Sequence, residues 1–258
     1  MRLYLKFFSM HLKSRMAYKK SFFFYTLGQF LTGFAESLAI WFLFDRFHAV
    51  KGYTISDCLL VAGVNTIAFA LAEMFFRGFD SMSSVIGNMQ FDRMLLRPRS
   101  LIFQMMCYTI EFGRIGRILQ GSVMLIYGIA VSPVVWTPDK VLVLIFMVAG
   151  GMMLFCTLLL MHAAATFFTI EGIEWMNVFT YGARQYGQYP YDIYGKGVLR
   201  FCTFVIPYAL IQYYPLLYLL GRTTNFAYGL LPLAASWFIL PVYGLWRYGV
   251  SKYKSTGS

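Results

Sequence analysis

An all-α, polytopic membrane protein is the fold class this sequence predicts, and three observations predict it. Of its 258 residues 59% are hydrophobic and 13% charged, with a mean hydropathy of +0.61, a balance foreign to soluble domains. Six apolar runs can each cross a ~30 Å hydrocarbon core, which takes about 20 helical residues. Ten-residue strands of alternating polarity are absent, and lipid cannot satisfy an open backbone amide, so helices carry the spans. Aromatic residues reach 19%, with 26 Phe and 19 Tyr, which suits a large surface at the lipid boundary.

The elements follow in order. MRLYLKFFSMHLKSRMAYKK sets Leu3, Phe7, Phe8 and Leu12 among spaced cations, and residues 1–21 read as an amphipathic helix lying in the membrane interface. No small-residue cleavage site follows it, so a secretory leader is not expected. The remainder, 22–258, reads as a six-helix transmembrane domain. Its spans run Phe22 to Phe44, Leu59 to Phe76, Ile118 to Trp136, Val141 to Phe168, Phe201 to Leu220, and Phe226 to Trp246. Gly28, Gly33 and Ala35 in the first span permit close helix approach. Pro207 and Pro215 interrupt the fifth span and Pro232 and Pro241 the sixth, so both are expected to bend or break. A break at Tyr213, Tyr214 and Pro215 fits a short re-entrant turn on the outer side.

The cations give a sidedness. Eighteen of the 22 Lys and Arg fall on the side of the termini, leaving Arg46, Lys51, Lys140 and Arg222 on the other. The positive-inside rule therefore places both termini in the cytoplasm. Two longer connections lie on that side, Arg77 to Arg117 and Thr169 to Arg200; the loops on the other side are short and form no external domain.

Little here supports catalysis. His11, His48 and His162 are scattered, no HExxH spacing occurs, and no metal site is expected. Cys58, Cys107, Cys156 and Cys202 have no CxxC spacing and read as small hydrophobes. Neither a GxSxG elbow nor a GxxxxGK[ST] phosphate loop is present; Gly195, Lys196 and Gly197 lack the spacing. The net charge of +11 is not gathered on a polar domain that could hold nucleic acid. Charge inside the membrane is more informative. Glu36 lies about two-thirds of the way along the first span, either at a helix contact or lining a path. Glu111, Arg114 and Arg117 recur every three residues at the start of the third span and read as an interfacial ion-pair cluster. Glu171 and Glu174, past the fourth span, read the same way.

The stretch GNMQFDRMLLRPRS, residues 87–100, is amphipathic and basic and does not belong in hydrocarbon. With its flanks, VIGNMQFDRMLLRPRSLIFQ resembles the cytoplasmic connection of ABC-2-type permeases, the membrane subunits of type-2 ATP-binding-cassette exporters, in their bacterial half-size six-span branch. Gly87, Asp92, Leu95, Leu96 and Pro98 carry that resemblance. YGQYPYDIYGKGVLRFCTFVIPYALIQYYPLLYLLGR is similar to that branch's C-terminal half, in Tyr189-Pro190, Ile206-Pro207, and Tyr214-Pro215 before Leu219-Leu220-Gly221. The likeness covers essentially the whole chain.

The resemblance implies a multi-pass permease of the bacterial plasma membrane, paired with a second permease chain, identical or sister. Two cytoplasmic ATPase subunits would hold ATP and Mg2+, with no cofactor on this chain. Residues 77–100 would contain the coupling helix that docks on the ATPase through Gly87, Phe91, Asp92, Met94, Leu95, Arg97 and Pro98. Phe91, Met94 and Leu95 are expected to be buried in that contact, with Asp92 and Arg97 at its rim. The implied function is export of an amphipathic or hydrophobic substrate such as a drug, peptide or lipid-like molecule. Two alternatives remain at this point: an ion-coupled secondary transporter using Glu36, and an intramembrane lipid-modifying enzyme.

Overall fold

A computed structural model describes residues 2–47, 49–169 and 173–255; His48 and Glu171 lie outside the described residues. The chain folds around two apolar helices, α3 (Ile55–Asp80) and α8 (Pro138–Ala165). Their start signals are local. Thr54 caps α3 and its amide donates to Asp57 Oδ2 at 3.0 Å, a capping box, while Pro138 opens α8 where its missing N–H costs nothing. Around them stand α2 (Lys19–Phe47), α7 (Ile115–Val131) and a last span built from α13 (Ala227–Ala234), a 3-10 turn Ala235–Phe238 and α14 (Ile239–Lys252). These five stretches are long and apolar enough to cross a membrane.

Close backbone approach joins α3 to α7: a Cβ on Gly63 would come within 2.9 Å of the Leu125 amide nitrogen. By contrast α2 is peripheral, with only Gly33, Ile40 and Phe44 of its 29 residues buried. Gly33 is covered by Gln120 of α7, whereas Gly28 faces open space. The third span ends at Val131, earlier than the Trp136 expected. Pro133 disfavours helix at Ser132, whose hydroxyl instead accepts from the Val134 amide at 3.3 Å.

One end of this bundle holds both termini. There α1 (Arg2–Met16) packs Tyr4, Phe8 and Leu12 against Ile110 and Phe112, and Tyr253 reaches Phe91. The connection Arg77 to Arg117, expected to contain a helix within 77–100, is mostly helical: α4 (Met82–Gly87), α5 (Gln90–Leu95) and α6 (Leu101–Tyr108). Ser100 caps α6, and Gln104 of α6 donates to the carbonyls of Met94 and Arg99 at 2.9 and 3.0 Å.

The other connection departs most from expectation. The sequence places Thr169 to Arg200 at the terminal end, yet its described residues from Ile173 onward lead across the bundle. The short helix α9 (Tyr181–Tyr186) lies against α3, with the Arg184 carbonyl taking a 2.8 Å hydrogen bond from Asn65. Eight residues further on, Asp192 receives Lys51 Nζ on its carbonyl at 2.8 Å and the Tyr53 hydroxyl on its carboxylate at 3.2 Å. Lys51 and Tyr53 precede α3 at the end of the bundle opposite the termini. Parity requires this crossing, because α8 ends at the terminal end and α13 begins at the far one.

The fifth span, Phe201 to Leu220, which its prolines are expected to bend or break, is a bent hairpin. Its parts are α10 (Lys196–Phe204), α11 (Tyr208–Ile211) and α12 (Tyr213–Leu219), with an 86° bend at Val205–Pro207. Both its ends are tied to the same loop: Asp192 to Lys51 and Tyr53 before it, and after it Arg222, which donates to the Gly52 carbonyl at 2.6 Å and lies 4.3 Å from the Tyr53 ring centroid. Burial, and next the Asp192 carboxylate, push the Tyr53 phenol up. Pro215 does not break the chain. It sits in the first turn of α12, where no intrahelical N–H is needed. The re-entrant bend therefore lies at Pro207, eight residues before Pro215. In the last span the helix tightens to 3-10 between Pro232 and Pro241.

Three cations consequently move. Arg184 is buried inside the bundle, and Lys196 and Arg200 start α10 at the far end, leaving fifteen of the eighteen at the terminal end against six at the other. This arrangement predicts sidedness directly. Lys196→Cys should react with an impermeant maleimide from the same side as Lys51→Cys and from the side opposite Lys254→Cys. The four native cysteines are buried and leave a low background. Labelling of Lys196→Cys together with Lys254→Cys would return this connection to the terminal end.

Candidate functional site: the terminal-end corner and the intramembrane ion pairs

The corner formed by α4 and α5 is built to hold one face still while showing another. Met89 lies between the two short helices in the left-handed region at φ 54°, a conformation that costs a non-glycine residue energy and persists only where surroundings impose it. Phe91 and Met94, one turn apart, point into the protein. Phe91 is fully buried and meets the rings of Phe167 and Tyr253 edge-on at 5.3 and 4.8 Å. Trp246 joins the same cluster through Phe167. These contacts fasten the corner to the end of α8 and to α14.

The assignment of Phe91 and Met94 to a partner's groove is therefore corrected: both are already occupied within the chain. What the corner presents outward is Met89, Leu95 and Leu96, which are 52, 45 and 86% exposed, with Arg93, Arg97 and Pro98 beside them. Gly87 ends α4 at the surface with open space around it. Asp92 is half-buried and accepts from the Ser255 hydroxyl at 3.0 Å, so its near neighbour is the C-terminal tail.

Glu36 has a partner that its neighbours in sequence do not announce. Its carboxylate is paired with the guanidinium of Arg184 from α9. Arg184 also lies 5.9 Å from the Phe69 ring centroid. A charge in lipid is costly, and pairing with a cation–π contact offsets part of that cost. The pair bridges the peripheral α2 to the irregular crossing segment.

Glu111, Arg114 and Arg117 do not pair with one another among the described residues. They reach outward to α1, α2 and α3 instead, the backbone entering a 3-10 turn at Phe112–Arg114. Glu111 meets Arg15 of α1 at 3.4 Å. Arg114 binds Glu73 of α3 at 3.0 Å and Gln29 of α2 at 3.1 Å, and Arg117 donates to the same Gln29 oxygen at 2.8 Å. Glu174 is exposed. Tyr213 and Tyr214 are half-buried, with their rings edge-on at 5.2 Å.

The largest polar cluster was not anticipated. Glu73, fully buried, shares Oε1 between Arg77 at 3.1 Å and Arg114 at 3.0 Å. Arg77 also meets Asp80 at 3.0 Å and the Tyr181 hydroxyl, and Asp80 holds His162 Nδ1 at 3.2 Å. The available signal was spacing: Glu73, Arg77 and Asp80 fall at i, i+4 and i+7 on one helix face. No group of three or more His, Cys, Asp or Glu among the described residues is placed to hold a metal.

A family model described as "ABC-2 family transporter protein" matches residues 30–257. The chain belongs to the ABC-2 transporter family. No curated protein and no solved structure matches it. As a family member it is the membrane component of an ABC transporter. The match takes in the α4–α5 corner, the crossing segment and the hairpin of this ABC-2 permease.

Two outcomes follow for the permease. Phe91→Ala should destabilise the chain itself by about 3–5 kcal/mol, the usual cost of emptying a buried aromatic site, whereas Leu96→Ala should stay within about 0.5 kcal/mol; thermal midpoints of the purified variants compare them. In a double-mutant cycle, Glu36→Gln and Arg184→Gln should couple by about 0.5–3 kcal/mol. Additive effects on the midpoint would mean that the pair is not formed in the membrane.

Proposed function

We propose that this permease is half of an exporter driven by separate ATPase subunits, which engage it at the α4–α5 corner. The observation that carries the reading is the division of that corner into an anchored inner face and an exposed outer edge. An exposed apolar residue on a rigid element can enter a groove, and flanking charges set register and approach. Met89, Leu95 and Leu96 are the docking residues, and Arg93 and Arg97 guide them. Phe91 acts one step behind, passing movement of the corner to α8 and α14 through its ring contacts.

Several features support the rest of the reading. Fifteen cations at the terminal end against six at the far end favour a cytoplasmic terminal end in a bacterial plasma membrane. Two ATPase subunits, holding ATP and Mg2+, would bind there beneath two permease chains, same or sister. Among the described residues the far end carries the loop before α3, the α10–α12 hairpin and short connections, and no separate domain to receive a delivery protein, which favours export. A substrate of amphipathic or hydrophobic character fits the cavity of about 290 Å3 between α9 and α10, lined by Phe179, Tyr186, Tyr194, Phe201 and Tyr208. Pairing of Glu36 with Arg184 counts against a carrier in which Glu36 loads and releases a proton.

Leu95→Asp combined with Leu96→Asp should reduce copurification of the ATPase at least tenfold and abolish transport-coupled ATP hydrolysis, while the permease remains folded. Asp92→Asn should have the milder effect. Undiminished recovery of the ATPase with the double variant would move the docking surface away from this corner.

A further inference from the structure

A second feature at the terminal end lies outside the coupling corner. Where α1 turns into α2, at Ala17 and Tyr18, the chain leaves an open cavity of about 610 Å3. Its walls are Arg15 and Tyr18, then Ser21 and Tyr25 of α2, and Glu111 from the start of the third span. Gly113 lets the Tyr25 ring settle against the backbone on this side; a Cβ there would run into that ring.

The charges in the wall are loosely matched. Arg15 uses one nitrogen, Nη2, for both Glu111 oxygens, at 3.4 Å each. That exceeds the roughly 2.7–2.9 Å of a tight charge-assisted bond. The Arg15 side chain is 47% exposed and Glu111 14%, so the cation stands outward and the anion inward. The rest of the guanidinium has no partner among the described residues.

Position selects the kind of ligand. The cavity lies between an amphipathic helix suited to the interface and a span whose next residues, Phe23 and Phe24, are exposed, while Tyr18 is 77% exposed. Aromatic rings at the end of a span favour headgroup level. A cation and an anion side by side match a zwitterion better than an anionic lipid, which Glu111 would repel. An ammonium with N–H donors can bond the Glu111 carboxylate; a quaternary ammonium cannot.

We propose that this elbow binds the phosphoethanolamine headgroup of a membrane phospholipid, phosphate on Arg15 and ammonium on Glu111. Bound there, the lipid joins α1, α2 and the start of the third span, the three elements that meet at the cavity.

The test uses the full purified chain in detergent, with its thermal midpoint read against dioctanoyl phosphatidylethanolamine, phosphatidylcholine, phosphatidylglycerol and soluble O-phosphoethanolamine. Phosphatidylethanolamine should raise the midpoint by about 2–4 °C at saturation, more than either other lipid, and O-phosphoethanolamine should do little. Glu111→Gln should erase the preference for ethanolamine over choline. Ser21→Trp, which fills the cavity without touching the ion pair, should remove the stabilisation altogether. Equal shifts from all three lipids, or an ethanolamine preference that survives Ser21→Trp, would overturn the site. A shift from O-phosphoethanolamine as large as the lipid's would replace the membrane ligand with a soluble one.

Discussion

Glu73 is a carboxylate with no exposure, in the middle of a bundle made almost wholly of hydrocarbon. The packing of the terminal end follows from the need to match it. Arg77 comes from the next turn of α3, and Arg114 from the approach to α7. Arg77 draws in Asp80 and Tyr181, and Asp80 draws in His162 of α8. Four segments are thereby held to one axis by bonds whose loss would leave a charge stranded, which in a buried site costs roughly 3–5 kcal/mol. Apolar packing alone gives helices little preference for one rotation over another in lipid, where side chains are as well solvated outside as inside. Directional ion pairs supply that preference.

The same end also carries the α4–α5 corner. Its anchoring ring, Phe91, belongs to a cluster with Phe167, Trp246 and Tyr253, so the corner cannot shift without moving the ends of α8 and α14. Phe79 of α3 meets Trp246 edge-on at 5.8 Å and connects this cluster to the axis that bears Glu73. Stiff aromatic contacts on one side and exposed Leu95 and Leu96 on the other suit a lever. At the far end Tyr53 gathers Asp192 and Arg222, closing the hairpin over the ends of α2 and α3. Between the two ends, the Glu36–Arg184 pair is the link from peripheral α2 to the crossing segment.

Legibility in the sequence tracked how local the cause was. The α4–α5 corner was visible as a stretch foreign to hydrocarbon because charge and apolar residues interleave there, but its orientation was not. In a six-residue helix Phe91, Met94 and Leu95 are all within one turn of each other, and which of them turns inward depends on Phe167 and Tyr253, more than 70 residues away. Arg184 was counted as a solvated loop cation because counting charges for sidedness assumes that they sit in water; Glu36, 148 residues distant, cancels that assumption. Pro207 and Pro215 looked equivalent as helix breakers. They differ only in that Pro215 falls in a first turn, where the N–H it lacks is not used.

The amino-acid sequence by itself determined the helical membrane class, the five long spans to within a few residues, the helical first segment and the excess of cations at the terminal end. Each of these answers to a local demand, since every lipid-facing window must be apolar and every backbone amide in it bonded within its own helix. Only the tertiary structure decided that the polar stretch from Tyr181 to Asp192 crosses the bundle, that of the two prolines expected to interrupt the next span it is Pro207 where the chain turns back, and which charges meet. A segment shielded by protein need not be apolar or regular, because its neighbours supply the partners that lipid cannot. Asn65 for the Arg184 carbonyl, Gln212 for the Gly187 carbonyl and Lys51 for the Asp192 carbonyl are those partners, and no window of sequence around the segment contains them.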